Sequence, residues 1–202
     1  MKAELKESRL KPFLRYNLDI LFVGLNPATG SSDNGHYFSV NQSLWSQLYN
    51  SGLLKKNLDK SNADNIVFGA NFHNYKNWEF GITDLITEYA ESNSRKIKPT
   101  LKDFQNLENT IKTYVPLTVV ILHGKVLRGF FRYLNLSVPK SNTGYLGKLF
   151  RDTPTTFFNI AFPHGNSICS NQKVVQYKLV KHYVKSHILS FTSKQLIPQH
   201  NR

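Results

Sequence analysis

Leu18-Asp19-Ile20-Leu21-Phe22-Val23-Gly24-Leu25-Asn26-Pro27-Ala28-Thr29-Gly30 is a short apolar run that stops on glycine and passes into a polar loop. A run this short, bounded by turn formers, reads as a buried strand from Leu18 to Val23. The loop after it, residues 26–35, is dense in turn residues and too polar for a core. Pro27 fixes its own φ and biases Asn26 towards an extended backbone, so an amide is held stiffly just past a strand end.

Outward from this stretch, the same grammar repeats. Leu117 to Leu122 is an apolar, β-branched run of the kind found in parallel sheets. His123-Gly124-Lys125 turns it into a helix with Val126, Leu127, Phe130, Phe131 and Leu134 on its apolar side. Thr155 to Ala161 reads as another strand, ending in the loop Phe162 to Cys169. Between these strands, Asn41 caps a helix carrying Leu44, Trp45, Leu48 and Tyr49, which Gly52 stops. Thr100 and Asp103 form a capping box ahead of Leu101, Phe104, Leu107 and Ile111. A last helix is expected over 171–189, with Val175, Leu179, Tyr183 and His187 on one side and Lys178, Lys181 and Lys185 on another. Ile66-Val67-Phe68 reads as a short strand, and Asn71 to Asn77 as an aromatic-rich loop.

Strands separated by helix-length segments imply βαβ units. The expected fold class is α/β, a three-layer α/β/α sandwich with a short, mainly parallel central sheet. One domain is expected over 1–202, with its core at about 18–189 and an irregular tail at 190–202. In such sheets ligands bind where loops leave the carboxyl ends of the strands. Three polar loops fall there: 24–38, 123–125 and 162–169.

Composition narrows the chemistry. The formal net charge is +13. Residues 1–108 carry 13 Lys+Arg against 12 acids, whereas 109–202 carry 13 against one acid, Asp152. One-sided positive charge suits a surface that meets phosphates. The single cysteine, Cys169, excludes an intramolecular disulfide and any zinc or iron–sulfur site built on two thiolates. No histidine pair has helical metal-ligand spacing, so neither a metal nor a cofactor is expected. No apolar run approaches the roughly 18 residues of a membrane span, and residues 1–6 lack a signal-type apolar core. A cytoplasmic protein without membrane contact is expected. Gly-x-Ser-x-Gly, phosphate-loop and Gly-x-Gly-x-x-Gly patterns are missing, which weakens an α/β-hydrolase or nucleotide-binding reading.

Gly24-Leu25-Asn26-Pro27 after an apolar strand resembles the Gly-Ile-Asn-Pro-Gly motif of the mismatch-specific uracil/thymine-DNA glycosylases. Gly35-His36-Tyr37-Phe38, with Asn41 and Leu44-Trp45 downstream, is similar to that family's Gly-His-aromatic stretch and its Asn-x-Phe-Trp helix. Ser51-Gly52-Leu53, Gly81-Ile82-Thr83-Asp84-Leu85 and Ile121-Leu122-His123-Gly124-Lys125 continue the likeness in order, and Pro163 to Ile168 falls at its second motif. The similarity spans about 18–185. Two departures stand out: Ala28 replaces a glycine, and His164-Gly165-Asn166-Ser167 replaces a Pro-Ser core.

The resemblance implies a DNA-repair glycosylase of the uracil-DNA glycosylase superfamily acting on double-stranded DNA that contains a damaged base, as a monomer. A base inside a duplex is unreachable, so such an enzyme extrudes it into a pocket and hydrolyses its N-glycosidic bond. By the same resemblance Asn26 positions the attacking water. His164 touches the base or the water. Phe38 stacks on the base, although counting back from Trp45 favours Tyr37. Leu25 and Ser31 belong to the base pocket, with Ser31 controlling room for a 5-methyl group. Ile168 is the wedge that fills the vacated stack, and Ser167 and Lys125 hold phosphates. An asparagine cannot act as a strong base, so slow hydrolysis driven by leaving-group stabilisation is expected. No motif lysine offers a Schiff-base nucleophile, so the expected enzyme is monofunctional. The alternative is a non-catalytic nucleic-acid-binding relative that keeps the pocket.

Overall fold

The computed structural model describes residues 6–195. Along the chain lie β1 (Lys6–Glu7), β2 (Ile20–Gly24), α1 (Thr29–Asn34), α2 (Ser43–Asn50), β3 (Phe80–Asp84) and β4 (Tyr89–Ala90). They are followed by α3 (Leu101–Tyr114), β5 (Thr118–Ile121), α4 (Gly124–Tyr133), β6 (Gly144–Gly147), β7 (Thr156–Asn159) and α5 (Ser170–Gln195). The main sheet has five strands in the order β3-β2-β5-β7-β6. Its first four strands are parallel, and β6 adds an antiparallel edge beside β7. β1 and β4 form a separate two-stranded antiparallel ribbon.

Side chains alternate across a strand, and β2 shows what this builds. Ile20 and Phe22 face one way, into a core completed by Trp45 and Leu48 of α2 and Tyr177, Val180 and Val184 of α5. Leu21 and Val23 face the other way, against Phe104 and Ile111 of α3 and Leu127 and Phe130 of α4. Every residue of β2 is buried. The three-layer α/β/α arrangement is therefore as expected. At the outer edge of β3, Phe13 exchanges both backbone hydrogen bonds with Ile82 (2.9 and 3.1 Å), so the segment leading into β2 covers that edge.

The helix starts follow their side chains. Thr100 and Asp103 close the capping box at α3. Asn41 Oδ1 accepts from Ser43 N at 2.8 Å at the entry to α2.

Several elements depart from the sequence expectation. Part of loop 26–35 winds into α1, because Gly35 takes a left-handed φ of +75° and its amide, with that of His36, ties off the carbonyls of Ser32 and Ser31. Residues 65–69 form a π-helical turn rather than a strand: the buried Asp64 carboxylate caps Asn65 N at 2.9 Å. β3 and β6 were not anticipated. The helix α5 continues through 190–195, where an irregular tail was expected; residues 196–202 of that expectation lie outside the described part. Its buried face matches the expected one at Tyr183, which is half-buried against the core, and otherwise differs. Val174, Tyr177, Val180 and Val184 pack inward, whereas Val175 (54%) and Leu179 (48%) are exposed. Of the lysine stripe, Lys181 lies over the Tyr75 ring, 3.9 Å from its centroid. Among the described residues no helix is long and apolar enough to cross a membrane.

Candidate active site

A cavity of about 880 Å³ opens at the carboxyl ends of β3, β2, β5 and β7. The strand order sets a row of polar groups along it: Asp84 at the end of β3, Asn26 after β2, His123 after β5 and, on the exposed rim, His164 after β7. Leu25, Ser31, Tyr37, Phe38, Ser167 and Ile168 also line it. Every residue that the resemblance assigned to a site is thus at this cavity except Lys125.

Asn26 is half-buried, and its amide faces are decided by its neighbours. Nδ2 donates to the carbonyl of Pro27 and to that of Glu91, both at 2.9 Å. With both amide hydrogens on backbone carbonyls, Oδ1 is the group left to accept a hydrogen bond from a ligand or water. Pro27 O also accepts from Glu91 N at 3.0 Å, and Ser92 Oγ accepts from Thr29 N at 3.1 Å. The Asn26 loop and segment 91–92 are therefore stitched into one rim.

Asp84, which sequence reasoning gave no role, is buried on the cavity floor. A β-carbon added to Gly24 would lie 2.0 Å from Asp84 Oδ1, so the carboxyl occupies the space that glycine leaves free. Burial pushes its pKa up to about 7. Tyr37 is likewise buried at the cavity, and its hydroxyl has no hydrogen-bond partner among the described residues. Burial, followed by the nearby Asp84 and Asp64 carboxyls, holds that phenol well above the usual range.

The turn carrying Tyr37 and Phe38 is fixed from below by Asp64. Its carboxylate accepts from Tyr37 N at 2.8 Å and pairs with His36 Nδ1 at 3.0 Å. Phe38 adopts a φ of +53°, a left-handed conformation uncommon for an aromatic residue. Its half-buried ring meets Trp45 edge-on at 6.2 Å and tilts against Phe162 at 5.9 Å. Both aromatics reach the cavity, but Tyr37 is enclosed and Phe38 is the more open of the two.

His123 caps α4: its Nδ1 accepts from Lys125 N at 3.0 Å, which puts the proton on Nε2 of the neutral ring. Burial, then the cations Lys125 and Arg128, lower its pKa to about 4. His164 is more exposed. Burial first, then the Lys173 ammonium, lowers its pKa as well. The two imidazoles flank one ring, Phe162, at 5.9 and 5.0 Å. Gly165 has a left-handed φ of +70°, and Asn166 Nδ2 donates to Phe162 O and His164 O at 2.7 and 3.1 Å, curling the loop on itself. Ser167 is exposed at the rim and Ile168 is half-buried beside it.

Lys125 points elsewhere. Its ammonium donates to the carbonyls of Ser94 and Ile97, so it ties segment 94–97 to the start of α4. A cation at the turn after β5 is legible in sequence; the two carbonyls that absorb it, about thirty residues earlier, are not. Among the described residues no group of three or more His, Cys, Asp or Glu could hold a metal ion.

The family model described as the uracil DNA glycosylase superfamily matches residues 12–193. No curated protein matches the chain.

Proposed function

The chain belongs to the uracil DNA glycosylase superfamily, a family of glycosylase hydrolases that act on DNA, and on that premise we propose that it removes a damaged base from double-stranded DNA as a monofunctional, monomeric enzyme. The observation that carries this reading is the state of Asn26. Its amide hydrogens are anchored on Pro27 O and Glu91 O, and its oxygen is left at a cavity large enough for a nucleotide. An oxygen held this way can accept a hydrogen bond from a water and aim it at C1′. It cannot remove the proton from that water efficiently, so the barrier has to fall on the leaving-group side. Hydrogen-bond donors at the floor stabilise negative charge as it develops on the departing base. His164, on the rim beyond Phe162, is the donor we assign to a base oxygen, and Phe38 is the surface on which the base stacks.

Asp84 and Tyr37 support a finer statement about the substrate. A carboxyl still holding its proton offers a donor beside an acceptor, the complement of a lactam edge such as that of uracil. Burial that lifts Asp84 to about 7 keeps this form populated near neutrality. Ser31, buried in the wall, leaves less room than an alanine for a 5-methyl group, so uracil is preferred over thymine. Ile168 and Ser167 form the rim that meets the duplex, Ile168 as the wedge into the stack.

A panel of duplexes, each with one lesion, tests the proposal through abasic sites revealed by alkali. A uracil duplex cleaved at the lesion is expected. Lesion binding without any abasic site, for every duplex in the panel, would convert the protein into a non-catalytic recognition module.

A further inference from the structure

Lys173 is the fourth residue of α5, and its side chain is almost fully enclosed, with 2% of its surface exposed. Its setting does not favour an ammonium there. Among the described residues no carboxylate pairs with it. The first turn of a helix is the positive end of its dipole, and an unpaired buried cation carries a desolvation penalty. Burial accordingly lowers its pKa. A methionine of similar shape would avoid both costs, so packing stability does not account for a lysine at this position.

What the ammonium does touch is specific. Lys173 Nζ donates to the carbonyl of Pro163 at 3.2 Å, and Gln47 Nε2, from the buried face of α2, donates to the same oxygen at 2.9 Å. Two donors from two helices thus converge on the one peptide that launches loop 162–169. Beyond that peptide the loop is exposed from His164 to Ser167 and is held by its own contacts, chiefly Asn166. Pro163 O is where the start of the loop is tied to the helical layer; its end is tied at Cys169, whose N donates to Gln172 Oε1 at 3.3 Å and whose O accepts from Lys173 N at 3.4 Å. The same cation also acts on the His164 imidazole, which follows Pro163 directly.

We propose that Lys173 is the positioning residue of the second-motif loop: with Gln47 it clamps the Pro163 carbonyl and so sets where His164 stands. Its charge adds to the burial that already disfavours protonation of the His164 imidazole. This rests on the reading of His164 and Ile168 as groups that meet the flipped nucleotide. His123 faces His164 across Phe162, and the Cys169 thiol, at the end of the same loop, acts on Lys173. Neither supplies a positive charge at neutral pH, because His123 titrates at about 4. A neutral His164 can donate from one nitrogen while accepting at the other; an imidazolium could only donate.

Three full-length proteins test this: the parent, Lys173→Met and Lys173→Gln. Two readouts need no substrate, namely the His164 titration followed by NMR and amide exchange of residues 164–168. In Lys173→Met the fold should persist with Tm equal or higher, the 164–168 amides should exchange roughly tenfold faster, and the His164 midpoint should rise, since a like charge has been removed. Lys173→Gln, a donor without charge, should restore slow exchange and leave the midpoint raised. On a uracil duplex, Lys173→Met should lose roughly tenfold to a hundredfold in single-turnover rate, the scale of a misplaced catalytic group, and the acid limb of its pH profile should move up. An unmoved His164 midpoint or unchanged loop exchange in Lys173→Met overturns the proposal. A parent that excises no base, with both substrate-free shifts present, removes the glycosylase reading and leaves the clamp standing.

Discussion

Asn26 and Glu91 are joined side chain to backbone across the mouth of the cavity, Nδ2 to carbonyl oxygen at 2.9 Å, although 65 positions separate them. The amide that presents an oxygen to the site is therefore also the strut of its rim. Two roles in one side chain make its substitutions informative, because they can be separated by what replaces it.

Asn26→Ala removes both roles, and the single-turnover rate should fall by roughly 10² or more. The lost tether should cost about 1–2 kcal/mol, leaving a folded protein. Asn26→Asp keeps an acceptor but puts a carboxylate against two carbonyl oxygens. It should lower Tm more than the alanine and open segment 91–92, so no gain in rate is expected. Parental rates in a folded Asn26→Ala would remove Asn26 from the chemistry.

Asp84 gives the site a pH dependence with a definite sign. Its folded pKa of about 7 lies above the ordinary carboxylate value, so the neutral form dominates below 7 and the carboxylate above it. Affinity for a lactam base should fall as pH rises through 7 in the parent, and Asp84→Asn should abolish that fall. The same linkage acts on stability. The raised pKa contributes stability that is present below about 4 and lost as pH climbs to about 7. The Tm of Asp84→Asn relative to the parent should therefore climb over that window and level off above it. A constant Tm difference from pH 4 to pH 8 would show that Asp84 titrates normally.

Gly24→Ala tests the close approach on which Asp84 depends. The new methyl would fall 2.0 Å from Oδ1, so the carboxyl has to leave or the strands have to part. Overpacking of this kind costs on the order of 1–3 kcal/mol. Combining Gly24→Ala with Asp84→Ala should recover most of that loss. Chemical denaturation of both variants measures it, and strictly additive losses would argue against the contact.

Lys125→Met should act on the fold before it acts on DNA. The carbonyls of Ser94 and Ile97 lose their donor, at roughly 1–3 kcal/mol. The slope of log affinity against log salt should change by well under the roughly one unit that a phosphate contact contributes. A full-unit change would return Lys125 to the DNA interface.

The contrast between β2 and β3 shows what the sequence could and could not say. Leu18 to Val23 is continuous, apolar and bounded by glycine, so strand, burial and the loop after it were all readable. Phe80-Gly81-Ile82-Thr83-Asp84 mixes a glycine and an acid into the same burial, and it becomes a strand because β2 accepts it in register. Asp84 belongs at the cavity only because Gly24, 60 residues earlier, has no side chain, and pairwise facts of this kind leave no local pattern. The α5 face was misread because Val174 and Val175 are equally apolar neighbours and only packing chooses between them. Lys173 carries no signal of its own in the sequence, since nothing in its own vicinity announces Gln47 or the Pro163 carbonyl.

The pairing of Phe13 with Ile82 has a practical consequence for anyone trimming this protein. A strand at the margin of a sheet offers unpaired amides and carbonyls to any other chain, and proteins cover or blunt such margins to stay dispersed. Here the cover is a stretch upstream of the first core strand, outside the region that a sequence-based boundary at residue 18 would keep. A truncation starting there would retain β2 and the whole cavity lining except Leu10, yet leave β3 as a sticky, exposed template. Such a shortened protein should self-associate in a concentration-dependent way.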